Sequence, residues 1–447
     1  MSDKLFGTDG IRGVANSYPL TIDFCSRLAL ALSQTVCTGK HRVAIARDTR
    51  VSGDMLLSAL CAGFTSQGID VLDLGVIPTP LCTTLTPSLD VDMSIMITAS
   101  HNPYRDNGLK LITADGDKFS DIQSRQVEEL LAGSLTPAFT PDCIGRVIKY
   151  KAGLDNYLET AAKIAAGNTL QGMKIVLDSA NGAFSAIMPE VYRRLGAEII
   201  SLADSPDGYN INRDCGSQHT EKLCQTVVES HSRLGIAVDG DGDRIIVCDE
   251  KGNRLNGDQI IAYLATYFKQ HNLLKGNTAV ATIYSNLGLG QYLKSIGVNY
   301  QTSAVGERYV IEKMRETGSN LGGEESGHMV LSDYSLTGDA LLASLVICLG
   351  VKESGRQMSE IFPVFTPYPT AAHNLRFNSK DEVSALLAQK ELQSCLDEAE
   401  KTLAGHGSLI VRKSGTEPVL RLKIEDKDQN VVSMVSEKIL DCIKKVS

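Results

Sequence analysis

Lys174-Ile175-Val176-Leu177, followed further on by Gly196 and then Ala197-Glu198-Ile199-Ile200, reads as a strand, an amphipathic helix and a second strand. Ile187, Val191 and Leu195 recur at helical spacing between the two apolar runs, so the helix lays one buried stripe on a sheet. Gly196 stands where a left-handed residue ends a helix. The same plan recurs twice. Arg42-Val43-Ala44-Ile45-Ala46 leads through a helix after Ser52, with Leu56, Leu60 and Phe64 as its stripe, to Gly68 and Ile69-Asp70-Val71-Leu72. Thr278-Ala279-Val280-Ala281-Thr282-Ile283 leads through Leu289, Leu293 and Ile296 to Gly297 and Val298-Asn299-Tyr300. Three units of one design predict three similar mixed-sheet α/β domains. One large doubly wound sheet would give the same local pattern, but the long intervals between units favour separate domains.

The C-terminal region departs from this plan. His373 to Phe377 reads as a strand, Asp381 to Leu403 as a helix, Ser408 to Arg412 and Val419 to Ile424 as two strands, and Val431 to Val446 as a helix. Val432, Val435, Ile439, Cys442 and Val446 share one face of that last helix. A smaller, separate α+β domain follows, with the proline-rich stretch Pro363 to Pro369 as its linker. The expected domains are 1–150, 151–252, 253–366 and 367–447.

Composition narrows the function. The 447 residues carry a net charge of −9 and no Trp, which disfavours a nucleic-acid partner read through a cationic or aromatic face. An anionic substrate then needs a local basic pocket. Eleven cysteines without a CxxC pair indicate neither a zinc ribbon nor a disulfide framework, and read mostly as buried thiols in a reducing compartment. The start, Met1 to Gly7, lacks the pattern of a signal peptide. The most apolar stretch, Ala340 to Val351, is too short to span a bilayer and reads as a buried helix. A cytoplasmic protein with no membrane partner is expected.

Four segments carry chemistry. Thr98-Ala99-Ser100-His101-Asn102-Pro103 follows the apolar run Met93 to Ile97, so Ser100 should sit at a strand end with its hydroxyl exposed to solvent or substrate. An ordinary Ser/Asn turn has the same letters. Ser100 and His101 make a poor nucleophile and base pair, because neighbouring side chains in an extended segment diverge. In Asp239-Gly240-Asp241-Gly242-Asp243-Arg244 the glycines let three carboxylates converge on one cation. A calcium EF-hand loop fits Glu250 at its twelfth position, but Arg244 replaces the glycine at its sixth and the flanks read as strands. A hard ion such as Mg2+ suits the site better. Arg412-Lys413-Ser414-Gly415-Thr416-Glu417-Pro418, followed by Arg421, offers guanidinium forks and hydroxyls to a phosphate dianion. By itself it is also a common basic hairpin. Gly322-Gly323-Glu324-Glu325-Ser326-Gly327-His328 offers groups that hydrogen-bond sugar hydroxyls, and equally describes a loop bearing a surface histidine.

Taken in this order, together with Phe6-Gly7-Thr8-Asp9-Gly10-Ile11-Arg12-Gly13 and Val305-Gly306-Glu307-Arg308-Tyr309-Val310, these segments resemble the α-D-phosphohexomutase family along essentially the whole chain. The resemblance is greatest to bacterial members acting on glucosamine phosphate. It implies three similar α/β domains and a fourth, smaller one around a central cleft. It implies that Ser100 is the phosphoserine and joins Asp239, Asp241 and Asp243 in holding Mg2+, with Arg244 beside them. Glu324, Ser326 and His328 correspond to a sugar-binding loop. Arg412, Ser414, Gly415, Thr416 and Arg421 correspond to a clamp for the distal phosphate, and Lys110 and Arg12 to catalytic cations. The implied reaction converts glucosamine 6-phosphate into glucosamine 1-phosphate through a 1,6-bisphosphate that turns over in the cleft, and supplies UDP-N-acetylglucosamine synthesis. Lys110 or His328 moves the hydroxyl proton. A fourth domain that opens between half-reactions and a homodimer also come with the resemblance. A relative preferring glucose or mannose phosphate is the alternative. Glu325 stands where the glucosamine branch usually has Gln, so a carboxylate there either attracts the substrate ammonium or shifts preference toward a neutral hexose.

Overall fold

The computed structural model of the chain describes residues 5–7, 9–133, 135, 142–413 and 418–446. Its first sheet has six strands in the order Ile11–Val14, Asp106–Thr113, Met93–Ile97, Arg42–Arg47, Asp70–Val76 and Val147–Lys149. The second orders Arg254–Leu255, Ile245–Asp249, Leu234–Val238, Lys174–Asp178 and Glu198–Leu202. The third orders Asn299–Ser303, Thr278–Thr282, Leu321–Gly323 and Met329–Leu331. Each of the three repeated units supplies one parallel strand pair to its sheet. The glycines expected to end their helices, Gly68, Gly196 and Gly297, all take positive φ.

One further feature repeats and positions the site. In each sheet a strand parallel to the first strand of the unit is followed by an antiparallel return: Met93–Ile97 by Asp106–Thr113, Leu234–Val238 by Ile245–Asp249, and Leu321–Gly323 by Met329–Leu331. An antiparallel neighbour needs only a short connection, which leaves the carboxyl end of a buried strand. Those connections are residues 98–105, 239–244 and 324–328, the three segments singled out above.

The three sheets are separate, but one apolar core runs through all three domains. Its centre is the helix Ala340–Ser354, buried on nearly every side, as a helix apolar all round must be. Asp339 caps that helix by accepting from Leu342 N at 3.0 Å, and also accepts from Tyr157 Oη at 2.9 Å, joining the second and third units. The fourth domain has a core of its own. Its antiparallel sheet, ordered Thr370–Arg376, Val419–Glu425 and Ser408–Lys413, packs Leu420, Leu422 and Ile424 against its helices. The single helix expected over 381–403 is two, Lys380–Leu387 and Lys390–Leu403. The break at Ala388-Gln389 lets both buried stripes reach one small sheet, and no Gly or Pro marks it. Eight of the eleven cysteines are buried and all are free thiols. No described helix is long and apolar enough to cross a membrane.

Candidate active site

Ser100 is fully buried, contrary to the expectation of an exposed hydroxyl. The cover comes from the second domain. Asn212 Nδ2 donates to Ser100 O at 2.8 Å and to Asn102 O at 2.9 Å, and a Cβ on Gly240 would lie 2.7 Å from Ser100 O. Arg50 completes the grip from within the first domain, donating to Ser100 O at 2.9 Å, Asn102 O at 2.8 Å, Asp106 O at 3.0 Å and Pro103 O. Its Nε pairs with Asp48 at 2.9 Å, and Asp48 also accepts from Thr98 Oγ1 at 2.7 Å. Ser100 is left-handed, with φ of 54°. That turn overrides the divergence expected of neighbours and brings His101 Nδ1 to 3.3 Å from Ser100 Oγ. Burial and the guanidiniums of Arg244 and Arg12 push His101 down to about 3, so its ring is neutral. Its Nδ1 accepts from Arg244 Nη1 at 3.0 Å.

Ser100 Oγ donates to Asp239 Oδ2 at 2.6 Å. Asp239, Asp241 and Asp243 are all buried, each offering an oxygen within 4.8 Å of the others. Lys110 Nζ donates to Asp241 Oδ2 at 2.7 Å and Asp243 Oδ2 at 2.9 Å, and Thr79 Oγ1 donates to Asp241 Oδ2 at 2.5 Å. The remaining oxygens decide the question of a metal. Asp241 Oδ1 is buried with no hydrogen-bond partner, and Asp243 Oδ1 has ionic contacts with His328 Nε2 at 3.2 Å and Arg244 Nε at 4.0 Å. Burial and the charges of Asp243 and Asp241 push the Asp239 carboxyl up to about 8. Three crowded carboxylates carry more negative charge than Lys110 alone offsets. An all-oxygen donor set with unsatisfied buried carboxylate atoms fits a hard divalent cation.

The other side of this cage is the loop 324–328. His328 Nδ1 lies 2.6 Å from Glu324 Oε2, while Glu324 Oε1 accepts from Gly306 N at 2.9 Å. Burial opposes charge on His328, but Asp243 and Glu324 outweigh it and lift the imidazole to about 10. Ser326 is exposed, with Oγ 3.4 Å from His328 Nδ1. Glu325 meets a different partner from Glu324: its Oε2 lies 3.5 Å from Lys423 Nζ of the fourth domain.

Arg12 Nη1 donates to Ala99 O at 3.4 Å and Nη2 pairs with Asp9 at 2.7 Å. Asp9 in turn reaches Lys110 at 3.3 Å and Lys118 at 2.6 Å, and Lys118 reaches Glu307 at 2.8 Å. The chain of charges thus crosses from the first domain to the third. Burial works against the charge of Lys110, but Asp241, Asp243 and Asp9 hold it well above the ordinary lysine value. A cavity of about 360 Å³ opens beside Lys110 and Lys118; none of Glu324, Ser326, Arg412 or Arg421 lines it.

Asp48, Arg50, Asn212 and Lys118 were absent from the sequence reading, because each is an isolated polar residue whose partners lie far along the chain. Asp9 and Glu307 lay inside quoted motifs, without an assigned role. Arg412 and Arg421 face each other across two antiparallel strands. Neither is hydrogen-bonded to the Ser100 cluster, and Arg421 Nε is buried without a partner. Ser414, Gly415 and Thr416 lie outside the described residues.

Four family profiles match in order: phosphoglucomutase/phosphomannomutase α/β/α domain I at residues 3–136, domain II at 155–252, domain III at 256–368, and the C-terminal domain at 373–441. The chain belongs to this family. The resemblance read from its motifs, to the α-D-phosphohexomutases, is borne out along the whole length. Among curated relatives, the phosphoglucosamine mutase of Paramagnetospirillum magneticum is 44% identical over 451 residues, covering 100% of both chains. That of Paracoccus denitrificans is 44% identical over 457 residues, again covering 100% of both. A phosphoglucomutase/phosphomannomutase family protein from Burkholderia thailandensis shares the fold with a TM-score of 0.82 at 23% identity, covering 100% of this chain and 98% of its own. An Aspergillus fumigatus N-acetylphosphoglucosamine mutase, solved with GlcNAc-6P and magnesium, aligns with a TM-score of 0.68 at 14% identity over 99% and 96% of the two chains. At such identities these structures bear on the fold alone.

Proposed function

We propose that this enzyme is an isomerase of the phosphoglucosamine mutase type, interconverting glucosamine 6-phosphate and glucosamine 1-phosphate. End-to-end identity of 44% with phosphoglucosamine mutases supports the substrate. The observation that carries the chemistry is Ser100 Oγ, 2.6 Å from the first aspartate of a buried three-carboxylate cage. Domains 1–150, 151–252, 253–366 and 367–447 would supply, in turn, the serine, the cage, the sugar loop and the distal phosphate clamp. A small sugar phosphate as partner and a cytoplasmic location go with this reading.

In the forward direction phospho-Ser100 gives its phosphoryl group to the sugar O1. The Oγ–P bond breaks, the O1–P bond forms, and the O1 hydroxyl proton leaves. After the 1,6-bisphosphate has turned over, Ser100 Oγ takes the phosphoryl group from O6, the O6–P bond breaks, and O6 regains a proton. Asp239, Asp241 and Asp243, with the Ser100 side chain, would hold Mg2+, which supplies neutralising charge for the phosphoryl oxygens when bound. This chain's own residues do the positioning. Arg50 and Asn212 hold the Ser100 carbonyl, and His101 faces its hydroxyl. Glu324 fixes the His328 ring, and Glu324 and Ser326 remain to receive sugar hydroxyls. Arg244 and Arg12 bring positive charge to the serine loop, and Arg412 and Arg421 stand ready for the distal phosphate. Lys110 and His328 approach Asp243 from two sides, at 2.9 Å and 3.2 Å, and are the cationic side chains nearest to it. Both are cationic in the free protein, so the one that takes up the O1 proton must first give up its own, while either can return a proton to O6; comparing pH–rate profiles of Lys110→Met and His328→Asn identifies which one does so.

The test is kcat/KM for the 6-phosphates of glucosamine, glucose and mannose, with Ser100-phosphorylated protein, Mg2+ and a Ser100→Ala control. Preference for the amino sugar, lost in the control, is the expected result. Preference for glucose or mannose would keep the mechanism and overturn the substrate.

A further inference from the structure

Lys423 is 3% exposed, on the central strand of the fourth-domain sheet. A lysine ammonium is rarely buried this far unless its pairing serves a purpose. Side chains two apart on a strand share a face, so Arg421, Lys423 and Glu425 stand in a row on the face opposite Leu420, Leu422 and Ile424, which fill that domain's core. Each member of the row meets something different. Glu425 accepts from Leu287 N at 3.1 Å and Asn286 Nδ2 at 3.2 Å, and so is fastened to the start of the third-domain helix Leu287–Ser295. Lys423 pairs with Glu425 at 2.8 Å, donates to Tyr284 O, and reaches Glu325 Oε2 at 3.5 Å. Arg421, about 7 Å further along the strand, faces Arg412 across the sheet, as part of the proposed clamp.

The two ion pairs of Lys423 differ in kind. Its bond to Glu425 lies within one strand and survives any movement of the fourth domain as a body. Its contact with Glu325 crosses between domains and depends on how closely they approach. Glu325 is flanked by Glu324 and Ser326, and its own backbone is fixed, with Glu325 O accepting from Gly257 N at 3.0 Å. Its side chain is half exposed, so the pair is weak enough to open and to be screened by salt.

We infer that Lys423 is a positioning residue that sets the reach of the phosphate clamp by pairing with Glu325 of the sugar loop. Glu425 acts as the pivot, Lys423 as the latch, and Arg421 carries the effect to the substrate's distal phosphate. The carboxylate at 325 therefore serves the enzyme's own lysine before any substrate ammonium. This inference rests on the proposed function for its substrate but not for its structural readout.

The experiment is a double-mutant cycle with Lys423→Met, Glu325→Gln and the double variant, with Lys423→Arg as the conservative control. Steady-state kinetics on glucosamine 6-phosphate are combined with hydrogen exchange of segments 284–290 and 364–370 in the ligand-free protein. Each single variant should raise KM about three- to fivefold, the range of a partly exposed pair, with kcat within about twofold. The double variant should be no worse than Lys423→Met, Lys423→Arg should restore most of the KM, and Lys423→Met should speed exchange at both segments. Independent multiplication of the two single effects, or an unchanged KM in both, would overturn the latch. Glu325→Gln alters a half-exposed side chain and keeps the test open should Lys423→Met fail to fold. If the wild type uses glucose or mannose phosphate instead, the cycle is read on that sugar, since the clamp addresses phosphate. If it turns over no hexose phosphate, faster exchange in Glu325→Gln, which leaves the Lys423 bond to Tyr284 O in place, upholds the latch while the proposed function falls, and unchanged exchange in Glu325→Gln overturns the latch.

Discussion

Arg50→Lys is the change that most directly tests how the serine is held. The Arg50 guanidinium and the Asp48 carboxylate are both fully buried, and five hydrogen-bond acceptors surround the fork: Asp48 and the carbonyls of Ser100, Asn102, Pro103 and Asp106. A lysine keeps the charge but presents a single point with three donors, so it cannot reach all five. Asn212 still supports two of the carbonyls. The minimum loss is therefore two charge-assisted bonds at roughly 1.5 kcal/mol each, or about 3 kcal/mol. If the first domain unfolds as a cooperative unit of about 150 residues, that lowers its melting midpoint by about 6–12 °C. The effect on rate follows from geometry, since a reacting group displaced by about 1 Å can cost on the order of a hundredfold. Thermal unfolding and the rate of phosphoryl exchange at Ser100, measured on one preparation, test both. If Arg50→Lys melts within about 2 °C of the wild type and exchanges phosphate within about threefold, the guanidinium does not hold the serine loop and the argument fails.

Three other outcomes follow from the same geometry. Asp239 is pushed up to about 8 in the folded chain, above its value of 3.8 when unfolded, so in metal-free protein its contribution is fully favourable below about pH 4 and is lost as pH rises through 8. Mg2+ added after chelation should therefore raise the melting midpoint more at about pH 8.5 than at about pH 5.5, and equal gains would remove Asp239 from the metal site. Gly240→Ala places a methyl 2.7 Å from Ser100 O, against backbone that cannot yield; kcat should fall at least about tenfold, and wild-type turnover would show that the two loops do not depend on that contact. Lys110→Met withdraws an ammonium from Asp241 and Asp243, so kcat should fall by about a hundredfold or more while Mg2+ binds more tightly, the two moving in opposite directions. Mg2+ titration beside turnover checks this, and weaker metal binding would contradict it.

The sequence was most informative where one short segment contains both the pattern and the chemistry. Apolar stripes such as Ile187, Val191 and Leu195 report a buried helix face whatever packs on it, so the three units and the separate fourth domain were readable. The aspartate loop was readable because its three ligands alternate with glycine in six residues. Burial supplied from another domain was not readable: Ser100 sits on a turn that looks exposed until Asn212 and Gly240 close over it. Arg50 and Glu307 acquire their roles through partners about 50 and 190 residues away, a distance at which periodicity says nothing. The break at Ala388-Gln389 is imposed by the small sheet beneath it, through packing, with no breaker residue to announce it. Glu325 reads from the sequence as a departure from the Gln usual in the glucosamine branch, with a bearing on substrate, but the fold brings its side chain to Lys423 of the fourth domain, a partner no local pattern announces.

The charges around Ser100 constrain the order of events more than any single distance does. Asp9, Asp239, Asp241, Asp243, Glu307 and Glu324 form one connected cluster with Arg12, Lys110, Lys118, Arg244 and His328. Asp239 is pushed up to about 8 and is neutral at about pH 7 in metal-free protein, so the other five carboxylates are balanced by the five cationic side chains before any phosphate arrives. On the proposed reading, phosphorylation of Ser100 then adds about −1.5 to −2 in the same place. The excess cannot be relieved by moving the serine, because Arg50 and Asn212 fix its carbonyl from two domains. It has to be met by a cation that the chain does not itself supply, and the unpartnered Oδ1 of Asp241 is an atom free to bind one. Metal binding and the phosphorylated serine are then thermodynamically linked, each favouring the other by the same factor. On the acceptor side, by contrast, the fourth domain meets the sugar loop through the pair between Lys423 and the half-exposed Glu325. On the proposed reading, a firmly held phosphoryl donor facing an acceptor side set by one weak ion pair suits a reaction in which one serine must serve two different oxygens of the same sugar.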